Sequence, residues 1–248
     1  MCWSGEASLG MTVIGLTGAL WSKKKGHPPS TWISLLFFTG MEFIQAMTYP
    51  VIEQCGNPLN IALTYAGYLH IAFQNFFVQW VGLSFMPKSV RDKWMKPAMI
   101  ASALTALFYV AIAFYEPLMK ELCKEAWFCA DQTCSIHGNW HIGWMVRLSW
   151  LQGYNFLPQI LQDAGFNFPG GALYFITAFI LPIVYGSWRW AIFHFIVGPV
   201  TAYATTQNRF EIAAVWCLFS IGFLTAMKIP VIWDWLNTER LKIDGDES

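Results

Sequence analysis

Two pairs of polar residues at helical spacing interrupt strongly apolar stretches of the sequence. Glu42 is followed three residues later by Gln45, and His70 is followed four residues later by Gln74. Residues three and four apart lie on one face of a helix, so each pair points its polar groups in a single direction. A carboxylate and an imidazole that meet can ligate a metal, relay protons or bind a small polar ligand.

The elements that hold these residues are predicted from an unusual composition. Of the 248 residues, 56% are hydrophobic and 12% are charged, against about 25% charged in ordinary soluble domains. The 15 basic and 15 acidic residues cancel, and no basic stripe is interleaved with aromatic residues, which argues against nucleic acid as a partner. This composition is typical of membrane proteins, so the expected partners are lipids, with other membrane subunits as an open alternative.

The apolar stretches predict an all-α bundle of about seven transmembrane helices, because roughly 20 apolar residues are needed to cross the hydrocarbon core. The predicted spans are 4–22, 31–53, 60–86, 98–116, 170–188, 190–206 and 210–234. They form one domain, residues 1–240, which includes an outer loop at 117–139 and an interfacial or re-entrant segment at 140–168. Residues 241–248 are expected to be a flexible cytoplasmic tail.

Lysines and arginines are unequally distributed between the two sides of these spans. One side carries Lys23, Lys24, Lys25, Lys88, Arg91, Lys93, Lys96, Arg189, Lys228, Arg240 and Lys242, and the other carries Lys120, Lys124, Arg147 and Arg209. The positive-inside rule then places the N-terminus outside and the C-terminus in the cytoplasm. The first helix is expected to be retained, because no basic segment precedes its apolar stretch and "SKKKG" follows it.

These spans predict a shared depth for two ionisable residues. Glu42 lies about eleven residues, near 16 Å, from either end of its span, and His70 lies about ten residues into the next one. With Gln45 and Gln74 they would form a ligand-binding or proton-relay cluster at mid-bilayer, where ionisable side chains are costly and mark functional sites. The structural alternative is that His70 hydrogen-bonds Glu42 or a backbone carbonyl and locks two helices together.

A metal is one of the ligands that this cluster could take. Glu42, His70 and His194 are the candidate ligands, and their carboxylate and imidazole groups suit zinc or iron as a cofactor. His194 lies one to two turns from the cytoplasmic end of its span and would reach the others if that helix tilts. No G-x-S-x-G motif or phosphate loop is present, so the sequence leaves open whether the protein is an enzyme.

The cysteines fall in outward-facing segments or near the outer end of the last span. An even set on one face predicts disulfides in an oxidising extracytoplasmic space. The candidates are Cys2, Cys55, Cys123, Cys129, Cys134 and Cys217. The alternative is a zinc site formed by Cys129, Cys134, His137 and His141, whose C-x4-C-x2-H-x3-H spacing is compressed relative to common structural zinc sites.

Six segments of the sequence carry a family resemblance: "MCWSGEAS", "EQCGNPLN", "GYLHIAFQ", "WHIGW", "YGSWR" and "WCLFSIG". Together they resemble an uncharacterised family of multi-pass membrane proteins that open Met-Cys-Trp-Ser, a resemblance that implies no activity. The architecture is also loosely similar to seven-helix membrane hydrolases of the ceramidase and adiponectin-receptor type, whose His-x3-His pair is echoed by "HGNWH".

Three functional hypotheses follow from these patterns. The first is an integral membrane protein whose buried Glu/His site binds a metal, cofactor or small ligand, or relays protons. The second is an accessory or structural subunit of a larger membrane complex. The third is an intramembrane, metal-dependent lipid hydrolase.

Overall fold

The structure, a computed structural model, describes residues 3–114, 130, 132–146, 172–208, 210–226 and 229–237. Within these residues the protein is mostly helical and contains one two-stranded antiparallel sheet. The helices are α1 (Gly5–Lys24), α2 (Pro29–Thr48), α3 (Pro58–Ser84), α4 (Lys88–Phe114), α5 (172–184), α6 (188–205), α7 (Ile212–Ala226) and α8 (Pro230–Leu236), and the strands are β1 (Cys134–His137) and β2 (Ile142–Met145). Each of the seven predicted segments contains a helix, and the last contains two, α7 and α8.

The ends of the helices follow from local sequence. The Ser4 side chain caps α1 by accepting a hydrogen bond from the Ala7 N–H, and Asn57 caps α3 in the same way. Prolines open α2, α3 and α8, where the missing N–H costs no helical hydrogen bond. A 3-10 turn, Tyr49–Val51, follows α2 and ends it before the predicted limit at residue 53.

Helix α1 packs along α2 through small residues. A Cβ at Gly15 would lie 2.1 Å from Thr39 Oγ1 and one at Gly18 would lie 3.3 Å from a Leu35 methyl group, so the two helices run antiparallel in close contact. The buried residues of α1 are Ser8, Thr12, Gly15, Ala19 and Ser22. Small residues at this spacing allow two helix backbones to approach closely.

Helices α2 and α3 are also antiparallel neighbours. The Phe37 ring stacks on the His70 ring and on the Phe77 ring, with centroids 3.8 Å apart in both cases. A Cβ at Gly40 would lie 3.6 Å from His70 Cε1. These contacts set the register: residue 40 of α2 is level with residue 70 of α3.

Helices α5 and α6 are interrupted by π-helical stretches, Ile176–Ile180 and Ile196–Val200. Pro182 follows the first and Pro199 lies within the second, and proline removes a backbone donor from each helix. The Thr177 carbonyl in the first stretch accepts a hydrogen bond from Gln79 Nε2, and the Tyr185 hydroxyl donates to Gln79 Oε1 at 3.0 Å. Gln79 therefore joins α3 to α5.

The two ends of the bundle differ in composition. One end carries the disulfide, and the other carries the described basic residues. The disulfide end consists of residues 3–5, 48–58, 134–145, 206–208 and 210–212, and the basic end consists of residues 23–29, 84–96, 185–189 and 230–236. The described lysines and arginines are Lys23, Lys24, Lys25, Lys88, Arg91, Lys93, Lys96 and Arg189, all of them at the basic end.

The β-hairpin was not predicted, because residues 140–146 were assigned to the interfacial or re-entrant segment. Its signal is Gly138-Asn139 between two short alternating runs, a pattern typical of a hairpin turn. Cys134 pairs with Met145 in the hairpin, and the Trp144 N–H donates to the Phe210 carbonyl at 2.8 Å, which attaches the sheet to the start of α7. Three predicted segments lie outside the described residues. They are residues 117–133 of the outer loop, except 130, 132 and 133, residues 147–168, and the tail 241–248.

One described helix passes a length-and-composition test for crossing a membrane, the stretch Lys88–Ala111 of α4. Leu173–Val184 and Ile212–Gly222 are apolar but shorter. The structure confirms that the predicted segments contain helices. It does not confirm a bundle of seven membrane spans.

Candidate functional site

Glu42 lies near the disulfide end of α2, six residues before the helix ends at Thr48. At 1.5 Å per residue this is about 9 Å from the end, so the carboxylate is not midway along its helix. The Glu42 and Gln45 side chains have no exposed surface, and His141 is 3% exposed. A buried carboxylate needs polar partners, since burying an unpaired charge is strongly unfavourable.

The partner of Glu42 is His141, at the end of the hairpin turn. Glu42 Oε1 lies 3.7 Å from His141 Nε2, an electrostatic contact that is longer than a direct hydrogen bond. With its amide nitrogen turned toward the carboxylate, Gln45 donates to Glu42 Oε1 at 3.1 Å and to Oε2 at 3.2 Å. The hydrogen-bond network itself assigns this amide orientation. Glu42, Gln45 and His141 thus form one buried polar cluster.

The contacts of the second ring nitrogen of His141, Nδ1, indicate which nitrogen of the neutral ring carries the proton. The Ile142 N–H donates to Nδ1 at 2.8 Å, and the Tyr49 hydroxyl lies 3.4 Å from the same atom. Because Nδ1 accepts, a neutral ring carries its proton on Nε2, the nitrogen that faces Glu42. The Nε2 side of the ring therefore points toward the carboxylate, across a gap that is longer than a direct hydrogen bond.

A second buried carboxylate, Glu211, holds the hairpin turn that carries His141. Its oxygens accept hydrogen bonds from the backbone N–H groups of Asn139, Trp140 and His141 and from the Thr206 hydroxyl. Gly138 lies so close that a Cβ there would be 2.6 Å from Glu211 Cδ. Four donors around one carboxylate compensate for its loss of water and fix the position of the turn.

Further bonds fix the other strand of the hairpin. Cys55 and Cys134 form a disulfide with a Cα–Cα distance of 5.2 Å. The Asn60 side chain donates to the carbonyls of Val51 and Ser135 and accepts from the Ser135 N–H at 2.9 Å. The loop after α2 and the start of α3 are therefore tied to β1, and His141 is held from both sides.

The structure separates His70 and Gln74 from the carboxylate with which they were predicted to cluster. His70 is level with Gly40 and stacks on Phe37, which places its ring about 3 Å deeper than Glu42 along the helix axis. His70 Nε2 and Gln74 Nε2 are buried and have no hydrogen-bond partner within the described part of the chain. Of the four predicted members, Glu42 and Gln45 are brought together, and no described hydrogen bond or ion pair joins them to His70 or Gln74.

The predicted metal set of Glu42, His70 and His194 is not assembled. His194 is fully buried among aromatic rings and stacks on Trp190, with ring centroids 5.3 Å apart. Across the ranges that the structure describes, no three His, Cys, Asp or Glu side chains are grouped closely enough to hold a metal. His70 packs against Phe37 and His194 against Trp190, so both imidazoles lie among aromatic rings and not beside Glu42.

The cysteines divide into three groups. Cys55 and Cys134 confirm the prediction of a disulfide. Cys217 is buried and unbonded in α7, so its assignment as a disulfide candidate was wrong. Cys2, Cys123 and Cys129 lie outside the described residues. Since Cys134 is disulfide-bonded, it has no thiolate for the alternative zinc site with Cys129, His137 and His141.

An open cleft lies beside the Glu42–His141 pair. It has a volume of about 510 Å³ and lies between the start of α1 and the end of α2, lined by Trp3, Glu6, Phe43, Met47, Tyr49 and His137 among others. The Trp3 ring centroid lies 5.1 Å from that of His141, and the Trp3 Nε1–H donates to Ser8 Oγ at 2.8 Å. Trp3 and Tyr49 thus form part of the cleft wall and also contact the buried imidazole.

Fold and site together define a class: a mostly helical bundle with a disulfide-linked hairpin that closes a buried Glu–Gln–His cluster at one end. The chain belongs to DUF5765, a family of unknown function, whose model matches residues 6–237. This confirms membership of an uncharacterised family. No curated protein and no solved structure matches the chain significantly.

Two site residues were not predicted from the sequence in the roles that they have. His141 was assigned to the interfacial or re-entrant segment 140–168 and was named only in the alternative zinc site, and no helical spacing relates it to Glu42. Glu211 was not singled out; its signal is a lone acidic residue directly before the apolar run "IAAVWCLF". Such a carboxylate needs buried donors, and here most of them are backbone amides, which no sequence motif records.

Proposed function

We propose that this chain is an integral membrane protein that binds an amphipathic small molecule in the cleft at its disulfide end, where the buried Glu42–His141 pair acts on the head group through the wall formed by Trp3 and Tyr49. One observation carries the proposal: Trp3 and Tyr49 line the cleft and also contact His141. A ligand in the cleft therefore lies one aromatic layer from a buried proton-accepting pair. Pockets of this kind, mainly apolar with a few converging polar groups, are the usual form of small-molecule sites.

The distribution of residues on α1 supports the membrane environment. Its buried residues are small or polar, whereas Leu9, Val13, Ile14, Leu16 and Leu20 are exposed, between 42% and 65%. In water an amphipathic helix buries its apolar face and exposes its polar face, which is the reverse of this arrangement. In lipid it is the expected one, because small residues pack between helices and aliphatic side chains face the acyl chains.

Helix α4 supports the same conclusion. Its exposed residues include Ile100, Leu104, Leu107 and Phe114. Of the most apolar 18-residue stretch within Lys88–Ala111, 28% is buried inside the protein. The core helix of a soluble protein would be mostly buried. Contiguous exposed apolar surface on this scale indicates contact with a membrane or with another protein.

The two ends of the bundle support an orientation. Basic residues concentrate on the cytoplasmic side of membrane proteins, and disulfides form in oxidising extracytoplasmic spaces. The basic end therefore faces the cytoplasm, and the cleft opens at the outer boundary of the membrane. That level is where an amphipathic molecule keeps its polar head in contact with water and its tail in lipid.

The residues of the cleft indicate which ligand chemistry fits. Phe43, Met47 and Leu9 offer apolar surface to a tail, and Glu6 adds a carboxylate at the rim. The Tyr49 phenol and the His137 imidazole, which also line the cleft, can each donate or accept a hydrogen bond. A head group that carries hydrogen-bond donors, such as an amine or a hydroxyl, would complement the carboxylates.

Binding can be tested on the purified full chain in lipid nanodiscs with radiolabelled decylamine as the probe. Saturable binding is expected, at least tenfold weaker in Glu42→Gln and in His141→Phe. Phe73→Leu, a change on an exposed face of α3, is the control and should bind as the wild type does. Absence of saturable binding above empty nanodiscs, or equal affinity in both site variants, would overturn the ligand proposal.

The membrane location has its own test. After extraction of cell membranes with alkaline carbonate, the full chain is expected to stay in the membrane pellet. Release into the supernatant would show that the exposed apolar faces contact another protein instead of lipid.

A further inference from the structure

A second set of polar side chains lies inside the bundle, away from the cleft. Its members belong to α1, α2 and α3, and each has a buried side-chain nitrogen or oxygen with no hydrogen-bond partner in the described ranges. They are Ser22, Ser30, Ser34, His70, Gln74 and Asn75. We call this set the polar column.

Five members of the polar column are buried, and His70 is partly buried with a buried Nε2 atom. Ser22, Ser34 and Asn75 have no exposed surface, and Gln74 and Ser30 are 1% and 3% exposed. Nine-tenths or more of buried polar groups in proteins have a hydrogen-bond partner. Six exceptions on three adjacent helices are too many for isolated defects, and polar surroundings of this kind are where internal water binds.

Helix register orders these side chains by depth. Gly40 is level with His70, and Phe37 lies between His70 and Phe77, so Gln74 and Asn75 are level with the turn of α2 that follows Ser34. Ser30 is one turn nearer the basic end. Ser22 of α1 lies at a similar depth, since Gly15 is level with Thr39 in the antiparallel α1–α2 pair.

In depth, the members of the polar column range from Ser30 near the basic end to His70 near the level of Glu42. At 1.5 Å per residue, successive members differ in depth by about 6 Å or less, and His70 lies about 3 Å below Glu42. One water molecule with two hydrogen bonds of about 2.8 Å bridges a gap of that size. The steps in depth are therefore compatible with a continuous chain of hydrogen bonds.

We infer that the polar column conducts protons between the basic end and the Glu42–His141 pair. A proton passes along the column by exchange between adjacent hydrogen-bonded groups, so no net bond is made or broken and no redox partner is needed. Glu42 and His141 accept or release the proton at the disulfide end, where Tyr49 and Trp3 separate them from the cleft. This inference rests on the proposed membrane location but not on the binding of a ligand in the cleft.

Proton flux can be measured with the full chain in liposomes that contain a pH-sensitive dye. A potassium diffusion potential set by valinomycin provides the driving force. Wild-type protein is expected to acidify the lumen at least tenfold faster than empty liposomes. Gln74→Leu with Asn75→Leu should reduce this rate at least tenfold, because apolar side chains cannot pass a proton along the column.

Two controls keep the outcome interpretable. Phe73→Leu, next to Gln74 but 40% exposed on the outer face, should conduct as the wild type does. The Gln74→Leu and Asn75→Leu variant should keep the wild-type far-ultraviolet circular dichroism spectrum, which shows that the helices are still folded. A wild-type rate equal to that of empty liposomes, or an unchanged rate in a variant with the wild-type spectrum, would overturn the inference.

Discussion

Glu42 Oε1 faces His141 Nε2 across 3.7 Å, with the carboxylate fully buried and the imidazole 3% exposed. The contact joins α2 to the hairpin turn, two elements far apart in sequence. Because neither group reaches solvent, each depends on the other and on Gln45 for electrostatic compensation. This pair, and not the Glu42–His70 pair that helix spacing favoured, is the polar centre of the molecule.

A double-mutant cycle tests that pairing. Glu42→Ala is expected to lower the free energy of unfolding by about 3 kcal/mol, because it leaves a buried imidazole without its partner. The coupling energy between Glu42→Ala and His141→Ala should be about 2 kcal/mol, as for groups in direct contact. Equilibrium unfolding in mixed micelles measures both quantities.

The same cycle with His70→Ala is the matched comparison. The His70 ring stacks on Phe37, and no described hydrogen bond or ion pair joins it to Glu42, so its coupling to Glu42→Ala should be below about 0.5 kcal/mol. A larger coupling for His70 than for His141 would contradict the observed arrangement.

Glu211 is predicted to be a stability residue of the hairpin turn. Glu211→Ala leaves three backbone N–H groups and the Thr206 hydroxyl without their acceptor, with an expected cost of about 3 kcal/mol. Hydrogen exchange of the Asn139, Trp140 and His141 amides should accelerate, while exchange in α3 stays unchanged. Glu53→Ala is the control, because Glu53 is exposed and its loss should cost less than about 0.5 kcal/mol.

Helix positions could be predicted from the sequence because they depend on local apolar runs and on caps such as Ser4 and Asn57. The depth of Glu42 could not be predicted, because Tyr49-Pro50 starts a 3-10 turn and ends α2 five residues before the predicted limit. Five residues correspond to about 7 Å along a helix. That difference separates a position at mid-bilayer from one near the surface of the bundle.

The candidate site was predicted in part, for a related reason. Glu42 and Gln45 were identified because polar groups in an apolar helix are rare and need a partner. The identity of that partner depends on a hairpin held by the Cys55–Cys134 disulfide and by Glu211, and these long-range constraints leave no periodicity in the sequence. The position of Cys217 near the outer end of the last predicted span likewise did not indicate that its thiol is buried inside the bundle.

The close contact of α1 and α2 makes Gly15 sensitive to substitution. A Cβ at this position would lie 2.1 Å from Thr39 Oγ1, so Gly15→Ala should separate the helices and cost about 2 kcal/mol of unfolding free energy. Gly10→Ala is the matched control on the same helix, with no atom within 4 Å of the added methyl group. It should be neutral or slightly stabilising, because alanine favours helix over glycine. Equal effects of the two changes would contradict the contact.

The Cys55–Cys134 disulfide closes a segment with a sequence separation of 79. On the chain-entropy estimate, a closed segment of that length stabilises the native state by about 4 kcal/mol, so Cys55→Ser with Cys134→Ser should lower unfolding free energy by a similar amount. Peptide mapping without reduction should recover the cross-linked pair. Cys217 should resist alkylation until the protein is unfolded, because its thiol is buried, and rapid alkylation in the native state would contradict that assignment.

Val13, at the centre of α1 and 56% exposed, distinguishes a lipid environment from an aqueous one. If its surroundings are hydrocarbon, Val13→Lys should cost about 3 kcal/mol, because a lysine near the bilayer centre is strongly disfavoured. Trp21→Lys is the control near the basic end of the same helix, where the ammonium reaches the membrane surface and the expected cost is below about 1 kcal/mol. Unfolding of both variants in lipid nanodiscs measures the difference. If Val13 faced water, its replacement would change stability by about 0.5 kcal/mol or less, and equal small costs at the two positions would rule out a bilayer around α1.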